Sequence, residues 1–191
     1  MGLNVSDLKS DIIDAYQHGM DGGSAAEVAQ YLAFAIVSYV SEAEIICLPG
    51  PILIPVVPTP VPSSVMGRKV KILSATAMAG AGPLQSQILA SFNAMDQLSL
   101  MSTGIVTYAS TLTTFASPSI GAVTGASVMA IPPVFAPVIA AGMSATGEDP
   151  VIDKTSDIMS KIIHASFMST IFTGVCTAVD GGVGPVSGPF M

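Results

Sequence analysis

A mainly α-helical chain is predicted, built as three helical-hairpin-like quasi-repeats joined by extended Pro-rich apolar arms, with short β segments beside them. Three observations predict it. Apolar residues recur at helical spacing beside N-capping signals between Ser6 and Ser41. Two stretches crowded with Pro, Ile, Leu and Val interrupt the helical pattern, and short segments recur in the same order further along the chain.

The first helix is expected over Asp7 to Met20, with Leu8, Ile12 and Tyr16 at i, i+4 and i+8 and Ser6 as its N-cap. Gly19, Gly22 and Gly23 end it. Ser24 followed by Glu27 then forms a capping box, opening a second helix whose apolar stripe is Val28, Leu32, Ala35, Ile36 and Tyr39. Two helices across a short Gly turn make a helical hairpin.

Beyond Ser41 the pattern changes. Pro49, Pro51, Pro55, Pro58, Pro60 and Pro62 alternate with Ile, Leu and Val. Proline fixes φ and removes a backbone donor, so this stretch is expected to be an extended apolar arm rather than a helix or a central strand.

The theme then repeats. Ile36-Val37-Ser38-Tyr39 recurs as Ile105-Val106-Thr107-Tyr108, and Pro49 recurs as Pro118 at the same offset. Lys71-Ile72 through Ala79-Gly80 to Pro83 lines up with Val138-Ile139 through Thr146-Gly147 to Pro150, and Pro118 with Pro185 in the same frame. Ala90-Ser91-Phe92 matches Ala165-Ser166-Phe167, and Gly104-Ile105-Val106-Thr107 matches Gly174-Val175-Cys176-Thr177, with small insertions between. The expected division is residues 1–49, 71–118 and 138–185 as helical units, 50–70 and 119–137 as arms, and 186–191 as a C-terminal tail. The second and third units begin with short β-like leads, Val70 to Met78 and Val134 to Ala141. Linkers between independent domains are polar and flexible; these arms are apolar and are expected to lie against another chain, with Pro51, Ile52, Leu53, Ile54, Val56, Val57, Ile131, Val134, Phe135, Val138 and Phe190 as the partner-binding residues.

Composition supports burial in an assembly. Half the 191 residues are apolar and only 10% are charged, against about 25% in an average soluble domain. From Ile72 to Gly147, Asp96 is the only ionised side chain. The net charge of −7 offers no basic footprint for nucleic acid. The acids between Asp7 and Glu44 and between Glu148 and Asp180 are expected on solvent-facing surfaces, and Asp96 at an exposed helix junction.

Chemistry-bearing residues are sparse. Cys47 and Cys176 lie in no metal or redox spacing and are expected as buried thiols. His18 and His164 fall on separate predicted helices, where surface or packing roles are expected. Gly80 to Gly82 and Gly181 to Gly184 lack the Lys-Ser/Thr of a phosphate-binding loop and the spacing of a dinucleotide fold. No enzyme activity, cofactor or metal is expected, and no signal peptide is apparent. Gln97 to Ser117 is uncharged but rich in Ser and Thr, and Ser119 to Met143 is broken by Pro and Gly. A small membrane protein, holin-like or pore-forming, is therefore the alternative rather than the first expectation.

The opening Met1-Gly2-Leu3-Asn4-Val5-Ser6-Asp7-Leu8-Lys9, with the Ala-rich helix ending Leu32-Ala33-Phe34-Ala35-Ile36-Val37-Ser38-Tyr39-Val40, resembles the N-terminal region of small structural proteins from the tails and baseplates of contractile-tailed bacteriophages. The resemblance extends along the chain only as far as this hairpin. It implies a non-enzymatic virion component made in the host cytoplasm, whose partners are other virion structural proteins in a symmetric multi-chain assembly. Three quasi-equivalent units suit a threefold or pseudo-threefold partner.

Overall fold

The structure, a computed structural model, describes residues 3–46, 53–54, 61–62, 69–72, 74–94, 97–112, 114–117, 121–129, 152–169, 171–177 and 183–189. Its mainly helical character is as expected. Helices α1 (Val5–Met20), α2 (Ala25–Ser41), α3 (Ser74–Ala79), α4 (Ala81–Phe92), α5 (Gln97–Ser110) and α6 (Ile152–Ser169) carry the described core.

Local chemistry sets the first hairpin. The Asn4 side chain accepts from the Ser6 amide at 3.0 Å, so Asn4 is the N-cap of α1 and Ser6, expected there, lies inside the helix. The first helix ends at Met20, and Gly22 takes the left-handed turn at φ +100°. Gly23 is packed against the His18 ring, where a Cβ would lie 2.5 Å from Cδ2. At α2 the capping box forms as expected, the Ser24 amide donating to Glu27 Oε2 at 2.7 Å and the Glu27 amide to Ser24 Oγ at 3.3 Å. All five residues of the expected stripe are buried. Burying Leu32 and Ile36 completely contributes about 1.5–3 kcal/mol each.

The capping box carries a pH signature. The Ser24 amide and hydroxyl donate to the Glu27 carboxylate and hold its pKa below the ordinary value. A lowered carboxyl pKa stabilises the fold above the unfolded value, and that contribution is lost as pH falls through the folded one. Thermal midpoints should therefore fall on acidification below about pH 4.5, and Glu27→Gln should flatten this part of the profile.

The second unit differs in detail from its expected form. The lead is shorter, because strand geometry ends at Ile72 and the Ala-rich Ser74–Ala79 turns helical. Pro83 sits in the first turn of α4, where its missing donor costs no helical hydrogen bond. Tyr108 donates to the Ala77 carbonyl at 3.1 Å and lies against Gly80. Helix α1 packs on α2, α4 on α5, α2 on α4, and α6 on α1.

The strands are β1 (Glu44–Ile46), β2 (Leu53–Ile54), β3 (Val61–Pro62), β4 (Lys69–Ile72), β5 (Thr114–Ser117), β6 (Gly121–Met129), β7 (Ile171–Thr177) and β8 (Val183–Pro189). They form one antiparallel sheet in the order β1-β4-β5-β6-β7-β8-β2-β3. The expected extended arms are therefore partly strands of this chain's own sheet: Leu53–Ile54 lies between β8 and β3, and residues 121–129 pair with β5 and β7. Residues 186–189 of the expected tail also belong to the sheet, since β8 pairs with β7 along its whole length.

Two further corrections concern the third unit. Helix α6 stops at Ser169, and the β-branched and aromatic run Ile171–Thr177 becomes β7. Consequently the offset matching Gly104–Thr107 with Gly174–Thr177 aligns a helix with a strand and marks no structural equivalence. The lead Val134 to Ala141, Cys47 and Asp96 lie outside the described residues.

Candidate functional site

The densest meeting of polar and aromatic side chains is the seam where α6 meets the α1/α2 hairpin. At one end Lys9 Nζ lies 3.0 Å from Asp153 Oδ1 and 3.7 Å from Asp157 Oδ1, while Lys161 reaches Asp157 Oδ2 at 2.6 Å. The hydrogen bond from Lys9 to Asp153 holds the ammonium above its ordinary pKa, and that from Lys161 to Asp157 holds the carboxyl below its own. Exposed pairs of this kind contribute little stability individually.

Further along, Tyr16 donates to Met159 Sδ at 3.7 Å. The Tyr39 hydroxyl lies 2.6 Å from His164 Nδ1, and Phe167 meets the Tyr39 ring edge to face with centroids 6.2 Å apart. Burial pushes the Tyr39 hydroxyl above its ordinary range. It is therefore held protonated, and the hydroxyl and the imidazole share one hydrogen bond. These residues are separated by 125 positions in sequence, and sequence spacing alone does not connect them. The histidines take the packing roles expected of them: His164 in this contact and His18 against Tyr31, with ring centroids 4.8 Å apart.

Ser156 on α6 is fully buried, and its hydroxyl has no hydrogen-bond partner among the described residues. A buried unsatisfied polar group costs about 1–3 kcal/mol. Ser156→Ala should accordingly raise the free energy of unfolding by about 1 kcal/mol in denaturant titration.

Next to Tyr39, a cleft opens between the start of α1 and the end of α2, lined by Asn4, Asp7, Asp11, Ser38 and Glu42 over a floor of Leu8. Burial, then the neighbouring Asp14 and Asp7, push the Asp11 carboxyl up. Asn4 donates to Asp7 at 2.7 Å. Among the described residues no group of three His, Cys, Asp or Glu side chains is placed to hold a metal ion. The acids from Asp7 to Glu42 are solvent-facing as expected, but Glu44 is an exception: it is buried, opposite Lys71 in the β1–β4 register.

Of the expected partner-binding residues, Leu53 and Ile54 lie in β2, opposite Pro62 and Val61, and Leu53 also faces Val183. Their backbone thus pairs within this chain, where an extended arm along another chain was expected. Pro51, Ile52, Val56, Val57, Ile131, Val134, Phe135, Val138 and Phe190 lie outside the described residues. Among the described residues no helix is long and apolar enough to cross a membrane.

No family model, no curated protein and no solved structure matches this chain.

Proposed function

We propose that this chain is a non-enzymatic structural component of a phage virion, placed in the tail or baseplate and held among other virion proteins. The observation that carries this reading is the scarcity of charge: 10% overall, with one ionised side chain between Ile72 and Gly147. A freely soluble surface usually carries about 25–35% charged residues. Permanent assemblies bury large apolar interfaces instead. The N-terminal resemblance described above points the same way. Nucleic acid has no place in this account, given the acidic balance.

The finer architecture belongs to the same proposal. With Tyr39 laid on Tyr108, α1, α2 and β1 fall on α3 with α4, on α5, and beside β5. These overlaps support reading the first two units as copies of one helical hairpin followed by an exit strand. The Pro-rich segments around Pro51–Val57 and Ile131–Val138 are the surfaces assigned to partner chains.

Carbonate extraction of expressed protein tests this reading against the membrane alternative. The chain should leave the pellet with the soluble fraction; retention with the membranes contradicts a structural virion role.

A further inference from the structure

We infer that the three units close into a ring, and that strand β8, which follows β7, is the strap that takes the leading-strand place beside the first unit. This goes beyond the virion reading and is independent of it.

The sheet order carries the inference. Strand β4 leads into the second unit's helices and β5 leaves them, while β6 precedes α6 in the chain and β7 leaves it. Each of these leading strands pairs with its own unit's exit strand, β4 with β5 and β6 with β7. Each also pairs with the exit strand of the preceding unit, β4 with β1 and β6 with β5. The first unit has an exit strand, β1, after α2. By the same rule a leading strand of that unit would pair with both β7 and β1. Strand β8 pairs with β7 from Ile171↔Pro189 to Thr177↔Val183; its other ladder partner among the described residues is Leu53 of β2, opposite Val183, and β1 comes into contact with it outside the ladder.

The helices follow the same cycle. The helix before β1 packs on the next unit's first long helix, α2 on α4, and the helix before β7 packs on the first unit's first helix, α6 on α1. Contacts that run from the third unit back to the first close a ring.

The sequence carries a matching mark. The helix before each exit strand ends in Ser or Thr, an aromatic, any residue, then Ser: Ser38-Tyr39-Val40-Ser41, Thr107-Tyr108-Ala109-Ser110 and Ser166-Phe167-Met168-Ser169. Tyr39, Tyr108 and Phe167 are all buried. Laying Phe167 on Tyr108 sets the third unit closer behind the second than the match of Ala90-Ser91-Phe92 with Ala165-Ser166-Phe167 does.

Strand β8 is also adapted to its place. Pro185 and Pro189 stand at alternate positions of one parity, so the donors they lack fall at one set of rungs of the ladder. The intervening Gly184, Val186 and Gly188 remain able to donate to β7.

That parity provides the test. Hydrogen exchange followed by mass spectrometry is measured on the full chain, on Val186→Pro and on Ser187→Pro. Val186→Pro removes a ladder donor and should speed exchange at least about tenfold in β7 and also in β1 and α1. Ser187→Pro shares the parity of the natural prolines and should leave these segments protected. If Val186→Pro opens β7 while β1 and α1 stay unchanged, β8 serves β7 alone and the ring is refuted. Should Val186→Pro fail to fold, the unmodified chain decides in rising denaturant: β8 and the first unit should open together, whereas β8 opening well before β1 and α1 overturns the proposal.

Discussion

Phe167→Ala should lower the free energy of unfolding by about 3–5 kcal/mol, the cost of truncating a fully buried aromatic. Phe167 is 1% exposed and lies edge-on to Tyr39, which in turn holds His164. The truncation therefore removes buried area and also leaves the Tyr39 ring without its neighbour at the α6 seam. For a chain of this size each 1 kcal/mol moves the thermal midpoint by about 2–4 °C, so a drop of roughly 10 °C is expected. The companion His164→Ala should cost less, because it removes a hydrogen bond to a tyrosine rather than a packed ring. Equal losses from the two would mean that the hydrogen bond, not the packing, holds α6.

Gly104→Leu should destabilise by about 3 kcal/mol, at the upper end of the usual range for overpacking. Glycine inside a helix costs about 1 kcal/mol relative to alanine, and its presence in α5 has a steric reason. A Cβ there would lie 2.7 Å from the Cβ of Gln87 on α4, with Leu84 Cδ1 at 3.9 Å. The obstructing atom is a Cβ fixed to the α4 backbone and cannot swing aside, so the two helices must separate. Gly82, whose position is open, provides the contrast: Gly82→Ala should be neutral or stabilising by up to about 1 kcal/mol. Circular dichroism melts of the two variants distinguish a steric constraint from a general intolerance of substitution.

The parts of the fold legible in sequence are those specified locally. Helix α2 is the clearest case, since a capping box marks its start and five residues at helical spacing mark its inward face. The first cap is displaced from its expected place because Asn4 and Ser6 both present suitable side chains, and only the hydrogen-bond geometry chooses between them. The end of α6 is harder to read. A single residue, Thr170, separates the helix from β7, and a short apolar run cannot be assigned to helix or strand by periodicity alone. The C-terminal segment misleads for a related reason: proline excludes a central ladder position only where its missing donor is needed, and the parity of Pro185 and Pro189 avoids that. The α6 seam is not legible at all. Tyr39 and His164 are brought together by the packing of α6 on α1, a contact between distant segments with no local signature.

The same distinction bears on the proposed repeat. The offset that lays Tyr39 on Tyr108 is visible in sequence because α2 and α5 are helices of similar length, each with a buried tyrosine near its end. Near the end of α6 the buried aromatic is Phe167 at a shorter spacing, and matches of small residues in Ala-, Ser- and Thr-rich segments pull the alignment into the following strand.

Quantitative mass spectrometry of density-gradient-purified phage particles tests the central claim most directly. A structural component should be recovered at a fixed molar ratio to the tail or baseplate proteins through successive gradients. Its absence from particles, or a ratio that falls with each round of purification, would contradict the proposed role.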